Sequence, residues 1–551
     1  MAFKEILASS IGLSVLSQRY TPHYSLGLIS GALVAFVLQY FTYLAYYIVV
    51  YPRFFSAIRH LPSPKGDFFL GNTKQVLAEP SGHPQREWIA DVPNDGILRY
   101  SVWFRGRILI TSPAALGEVL VTRNYDFIKP PQIRFGLGRL LGIGVLLAEG
   151  DEHKIQRKNL MPAFAFRHIK EIYPIFWRKS RELVECVTEF KNANPLGTPH
   201  PSRTPKDTTP EHVKGSIELG GWFSRATLDI IGVSGMGQDF NSLRNPNNKL
   251  AQTYQMVLNP PRSARLLQIA GAFISPRILR LLPLKQNGVI EAASKYIREI
   301  CGEMIVKKHE RLQKNQAAEK DILSVALQSG GFTDDQLVDQ MMTFLAAGHE
   351  TTASSMQWAL YVLCKHPDVQ MKLREEIRKS IPSLSHEITS EEIDGCHYLQ
   401  AVCSEILRLW SPVPLTLRIA NVDTRVAGHF IPKGTTVILA PAATNTSKEL
   451  WGDDAMEFKP ERFLSPDGKS NNQGGATSNY AFLTFLHGPR SCIGQKFAQA
   501  EFACLLAAWV GAFETSFEEG SPLHHNVEVK GGITTKPAGG LWCDVKPVPG
   551  W

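Results

Sequence analysis

One long apolar stretch stands near the start of the chain, and apolar positions thereafter recur mostly at helical spacing. Between Arg19 and Arg53 there is no Asp, Glu, Lys or Arg, and Leu26 to Tyr51 is dense in Leu, Val, Ile, Phe and Tyr. That exceeds the roughly 20 apolar residues needed to span a bilayer. A cleaved signal peptide has an apolar core of only about 7 to 15 residues. The stretch therefore reads as a retained transmembrane anchor over 25–51, preceded by a lead segment, 1–24. Tyr40, Tyr43, Tyr46, Tyr47 and Tyr51 gather towards its end, as rings do at a membrane interface. Arg53, Arg59 and Lys65 follow and favour a cytosolic catalytic part, while Lys4 and Arg19 on the other side pull against that orientation. A proline-rich hinge, 52–72, comes next, with Leu61-Pro62-Ser63-Pro64 at its centre.

Gly96 to Ser112 alternates and turns at Gly106, which predicts a hairpin of a small sheet. Gly150 to Lys158 opens a helix whose early acids and later bases suit its dipole. Helical patterns also cover Arg167 to Phe190, Ile217 to Gly232, Asn287 to Lys314, Asp334 to Lys365 and Gln495 to Val510. Two polar segments, 191–211 and 465–479, read as exposed loops without chemistry. No repeat or linker divides 73–551, which reads as one catalytic domain.

Composition narrows the class. The 551 residues carry a formal net charge of +8, from 59 Lys and Arg against 51 Asp and Glu, without basic runs. That excludes a nucleic-acid binder and suits a membrane surface or an acidic protein partner. The 8 cysteines are scattered and form no C-x-x-C, as expected of reduced thiols facing the cytosol.

One cysteine stands apart. In Phe485-Leu486-His487-Gly488-Pro489-Arg490-Ser491-Cys492-Ile493-Gly494, Cys492 lies between two glycines and runs into the helix from Gln495. A helix N-terminus stabilises a thiolate through its dipole and its unpaired N–H groups. Gly488 and Gly494 let the backbone fold tightly and approach a flat ligand, and Arg490 offers a fixed positive charge. A lone cysteine beside a helix is most often a small buried hydrophobe, so the surrounding pattern is what singles this one out.

The pattern Phe485-x-x-Gly488-x-Arg490-x-Cys492-x-Gly494 resembles the haem-ligand signature of the cytochrome P450 family of haem-thiolate monooxygenases. The resemblance implies that Cys492 is the axial ligand of a haem iron, which favours O–O cleavage. Further segments resemble the family in the same order. Gly150-Asp151-Glu152-His153 to Arg157 is similar to a segment whose Trp and Arg reach a haem propionate, with His153 where the Trp is usual. Ala347-Gly348-His349-Glu350-Thr351-Thr352 resembles the oxygen-binding motif. By that likeness Thr351 hydrogen-bonds dioxygen, Glu350 feeds protons through water, and Gly348 leaves a gap beside the hydroxyl. The residues alone leave a second course open, in which the Thr351 hydroxyl turns back onto a carbonyl one turn earlier. Glu405-Ile406-Leu407-Arg408 with Arg462 of Pro460-Glu461-Arg462-Phe463 resembles the family's buried structural trio, and Arg418 matches its propionate-binding arginine.

With a C-terminal hairpin around Gly531 to Val545, the resemblance covers the chain from about Leu61 onward. It implies a mainly α-helical cytochrome P450 fold with a small β region, behind one N-terminal transmembrane helix. It also implies haem b (iron protoporphyrin IX), with insertion of one oxygen atom from O2 into a lipophilic small molecule such as a terpenoid, polyketide or fatty acid. Secondary metabolite biosynthesis in a filamentous fungus is the expected setting. No dinucleotide fingerprint follows a strand. Electrons from NADPH are thus expected through a separate flavoprotein reductase, in the endoplasmic reticulum membrane, with a single-pass anchor and a cytosolic catalytic domain. The rivals are a haem-thiolate isomerase or dehydratase that uses no O2, and a non-catalytic haem-binding membrane protein. Apolar pocket positions by resemblance are Ile133 to Leu147, Phe344, Ala347, Leu415 to Leu417 and Ile533.

Overall fold

The computed structural model describes residues 2–20, 27–78, 80–103, 105–194, 216–258, 280, 284–314, 321–518, 520–525 and 527–551. Helix α1 (Ala2–Tyr20) occupies most of the expected lead segment and lies against α2 (Leu28–Ala45). The anchor helix continues with π-type backbone over Tyr46–Phe55, four residues beyond its expected end and through Pro52. Within Leu28–Phe55 lies an apolar window long enough to cross a membrane, and none of that window is buried.

The hairpin is β1 (Ile97–Val102) with β2 (Arg105–Ile110). Its turn is not at Gly106, which pairs with Ser101 inside the ladder; the strands close at Val102 and Arg105, with Trp103 at φ 56°. Strand β3 (Phe127–Ile128) leads to α3 (Pro131–Leu141) and α4 (Gly150–Leu160). The helix expected over Arg167 to Phe190 is two, α5 (Phe166–Lys170) and α6 (Tyr173–Ala193). They part before Pro174, which lacks the N–H a continuous helix needs. Residues 191–193 close α6, and 195–211 of the expected loop fall outside the described residues.

Ile217 belongs to β4 (Ser216–Glu218) rather than to a helix, and α7 (Gly220–Met236) begins three residues later. Helix α8 (Lys285–Gln313) precedes the central α9 (Asp334–Lys365), which starts on a capping box between Thr333 and Gln336. Then come α10 (His397–Leu409), β5 (Thr416–Ala420), β6 (Thr436–Leu439) and α11 (Gln495–Ala512). The chain ends in β7 (Phe513–Phe517), β8 (Val529–Lys530), β9 (Lys536–Pro537) and β10 (Trp542–Pro547).

The main sheet runs β1-β2-β6-β5-β3, with β2 and β6 parallel and the other pairs antiparallel. The expected C-terminal hairpin is divided. β8 pairs with β9, while β10 lies between β4 and β7 in a second sheet. Helices α6, α7, α9 and α11 pack around one large core that includes Trp177, Trp358 and Trp509, each at most 1% exposed. The loop 465–479 is not wholly exposed, since Gly474 sits under Phe463 and Trp451 where a Cβ would meet both rings.

Candidate active site

The Cys492 loop is closed by its own backbone. The N–H of Cys492 donates to the Phe485 carbonyl at 2.8 Å, and Gly494 caps α11 two residues later. Phe485 itself is half-buried against the core. Gly488 has φ +75°, and a Cβ there would run into the Leu120 carbonyl. Its freedom thus serves the packing of the 118–122 turn. Gly494 has φ −88° and only ordinary packing against Phe164 at 3.7 Å.

Of the eight free cysteines only Cys492 is exposed. The protein nonetheless surrounds it closely enough to push its thiol above the ordinary value, against the opposing pull of the Gly494 N–H and the Arg157 charge. Cys492 is thus both accessible and closely surrounded by protein. Burial also outweighs the helix terminus that was expected to favour the thiolate.

Cations crowd one side of this space. Arg490 forms an ion pair with Glu149, yet its buried Nε has no hydrogen-bond partner. Arg418 is buried on β5, donates to Thr416 Oγ1 at 2.9 Å, and is lowered to about 10 by burial and by the Arg490 charge. Lys129 is held well below its ordinary value by burial and the same two arginines. His153, on α4, is buried 3.2 Å from the Tyr125 hydroxyl. Burial first, and then Arg490, Lys129, Arg157 and Arg418, lower it to about 3, so it is neutral at physiological pH. Arg157 donates to the Ser491 carbonyl at 2.7 Å, which ties α4 directly to the cysteine loop. Four cations around one carboxylate, with a guanidinium N–H left unpaired, suit a ligand bearing two acidic groups. With an accessible sulfur opposite, the set fits haem b.

The second wall is α9. Although most of its middle is buried, Ala347 is exposed and Thr351 is half-exposed. Thr351 Oγ1 donates to the Ala347 carbonyl at 2.8 Å, one turn back. Gly348 does not open the expected gap: Ile231 of α7 fills it, 3.0 Å from where a Cβ would stand. Glu350 accepts from Thr534 Oγ1 at 3.0 Å and pairs with Lys536 at 3.2 Å. Phe344 is 9% exposed and stacks edge-on with Phe164, while Ile533 is 55% exposed.

Beneath lies the buried trio. Arg408 grips Glu405 through two bonds of 2.6 and 2.7 Å, with both side chains wholly buried, and Arg462 stands 3.5 Å from the same carboxylate. Arg408 also donates to the carbonyls of Asn445, Ala455 and Glu457, so one guanidinium pins the 445–457 connection to α10.

Tyr125, Lys129, Glu149 and Lys536 also belong to the site, and the sequence reading does not find them. None sits in a recognisable spacing, and each joins the site only through long-range packing. Among the described residues no three His, Cys, Asp or Glu cluster as a metal site.

The family model described as Cytochrome P450 matches residues 61–543. The chain is 46% identical over 517 residues to cytochrome P450 monooxygenase sphH of Aspergillus fumigatus, covering 92% of each. It is 43% identical over 549 residues to cytochrome P450 monooxygenase FUM15 of Gibberella moniliformis, covering 91% of this chain and 90% of that one. To cytochrome P450 monooxygenase ALT8 of Alternaria alternata it is 40% identical over 551 residues, covering 91% and 92%.

Proposed function

This chain belongs to the cytochrome P450 family, and from that premise we propose that Cys492 would hold its haem through the thiolate sulfur, while Arg490, Arg418, Arg157, His153 and Lys129 would receive the acidic groups of the haem. The chain is a haem-dependent monooxygenase. One oxygen atom of O2 enters the substrate, and the other leaves as water with two electrons from NADPH and two protons. When bound, the haem supplies the O2 chemistry, and a thiolate ligand favours O–O cleavage. The observation that carries the residue assignments is the pairing of a closely surrounded, accessible Cys492 with four cations that share the single carboxylate of Glu149.

The protein's own part is to orient groups and move protons. Because Thr351 gives its hydroxyl proton to the Ala347 carbonyl, its oxygen is left as an acceptor facing the cavity. That orients a proton donor beside the reacting oxygen. Glu350, held by Thr534 and Lys536, stands one residue away, where it relays protons towards Thr351. Glu405, Arg408 and Arg462 fix the floor without touching substrate.

The surface supports a redox partner. Lys154, Lys158, Arg167 and Lys496 are exposed on α4, α5 and the start of α11, around the cysteine loop. This basic face suits an acidic NADPH-dependent flavoprotein reductase. Leu28–Phe55 anchors the chain in the endoplasmic reticulum membrane, with 61–543 on the cytosolic side. The substrate is a lipophilic small molecule of secondary metabolism, received by Phe344, Ala347, Leu415 and Leu417.

The test is reconstitution with a reductase in microsomes. NADPH- and O2-dependent formation of an oxygenated product, with a thiolate-type carbonyl spectrum, is the expected result. Conversion without NADPH would instead establish an isomerase or dehydratase.

A further inference from the structure

Helix α1 has its polarity inverted for a helix in water. Among residues 4 to 20 only Ser10 and Ser14 are buried, at 0% and 4%, one turn apart and turned towards α2. The outer surface carries Leu7, Ile11, Leu13, Val15 and Leu16, each 43 to 51% exposed. A helix resting on an aqueous domain buries its leucines and wets its serines. Small hydroxyl residues between helices, with aliphatic side chains outside, are the arrangement of helices packed in lipid.

Backbone and hydroxyl bonding agree with that medium. Ser14 Oγ donates to the Leu28 carbonyl at the start of α2 at 2.8 Å, and Ser10 Oγ to Ile6 of its own helix at 2.6 Å. Neither hydroxyl needs water. Residues 6–18 carry no charge, while Lys4, Glu5 and Arg19 lie at the two ends. At about 1.5 Å per residue the 19 residues of α1 extend about 28 Å, close to the roughly 30 Å of a hydrocarbon core. Alone, α1 is less apolar than α2; packed on it, its serines are removed from lipid.

We infer that α1 and α2 form a helical hairpin within the bilayer, so that the start of α1 lies on the same side as the catalytic domain. The hydrocarbon of the membrane is thus the partner of the exposed aliphatic face. This rests on α2 being the anchor and replaces the single-pass topology by a double one. Lys4 then joins Arg53 and Arg59 on the cytosolic side, which removes its conflict with the positive-inside rule.

The test uses the full chain in sealed microsomes and a membrane-impermeant maleimide, with Lys4→Cys and Arg19→Cys compared to the parent. The hairpin requires full labelling of Lys4→Cys before detergent, and a several-fold rise for Arg19→Cys once detergent is added. Protection of both positions until detergent would overturn the hairpin while leaving the α2 anchor intact. Labelling of both in sealed microsomes would overturn the hairpin and the anchor together.

Discussion

Thr352 and Glu501 join α9 to α11 across 149 residues of sequence: Thr352 Oγ1 donates to Glu501 Oε2 at 2.8 Å, deep in the core. Glu501 Oε1 has no hydrogen-bond partner, and burial raises the carboxyl well above its ordinary 4.5. The folded protein therefore holds a proton that the unfolded chain releases near 4.5. Stability from this group is complete below that value and declines as pH rises above it, by up to about 1.4 kcal/mol per pH unit. Glu501→Gln keeps the shape and cannot ionise. Its unfolding midpoint, followed from about pH 5 to pH 8, is expected to fall less with pH than that of the parent. Parallel curves would show that Glu501 ionises normally in the fold.

Cys492→Ser replaces a sulfur ligand by a hydroxyl that stays protonated at neutral pH. The reduced carbonyl complex is expected to lose its thiolate-type absorption. An unchanged spectrum would remove Cys492 as the ligand.

Thr351→Ala deletes the acceptor that faces the cavity and leaves the packing beside it. Haem content is expected to stay near that of the parent, while product per NADPH falls several-fold and hydrogen peroxide rises. Unchanged coupling would mean that the Ala347 bond is the whole role of this hydroxyl.

Gly348→Ala sets two effects against each other. Helix propensity improves by about 1 kcal/mol, whereas crowding of Ile231 costs about 1 to 3 kcal/mol. A net loss of up to about 2 kcal/mol in thermal or denaturant unfolding is expected, with product per NADPH unchanged. Loss of coupling at full stability would return Gly348 to the chemistry.

Arg408→Lys keeps the charge but cannot grip Glu405 with two parallel bonds or reach three carbonyls at once. It is expected to lower both stability and haem content. Arg408→Ala leaves a buried carboxylate with only Arg462 and the Lys459 N–H, and costs about 3 to 5 kcal/mol. Full haem loading and parental melting in the lysine variant would contradict this.

Much of this architecture is written locally. The span Asp334–Lys365 was legible to the residue because its helix formers are bounded by Thr333 and His366, and the Cys492 loop because its chemistry needs fixed spacings. What escaped is non-local. Ile217 has the apolar pattern of a helix but is drawn into a strand by Cys543, over 300 residues later. Ser101 and Gly106 are paired by the register of their strands, which places the turn at Trp103. The occupant of the space beside Gly348 is Ile231 of another helix, and the partner of Glu350 is Lys536 of a C-terminal strand. No local window of residues contains both halves of such pairs.

Lys129, Arg157, Arg418 and Arg490 all face His153, with Glu149 as the carboxylate among them. Before its cofactor arrives the newly made chain must hold these like charges together against their own repulsion. Any dianion that binds only the folded form then draws the population towards it. Cofactor binding is therefore also folding energy for this chain, so that haem supply bears on how much of it stays folded as well as on how much of it is active.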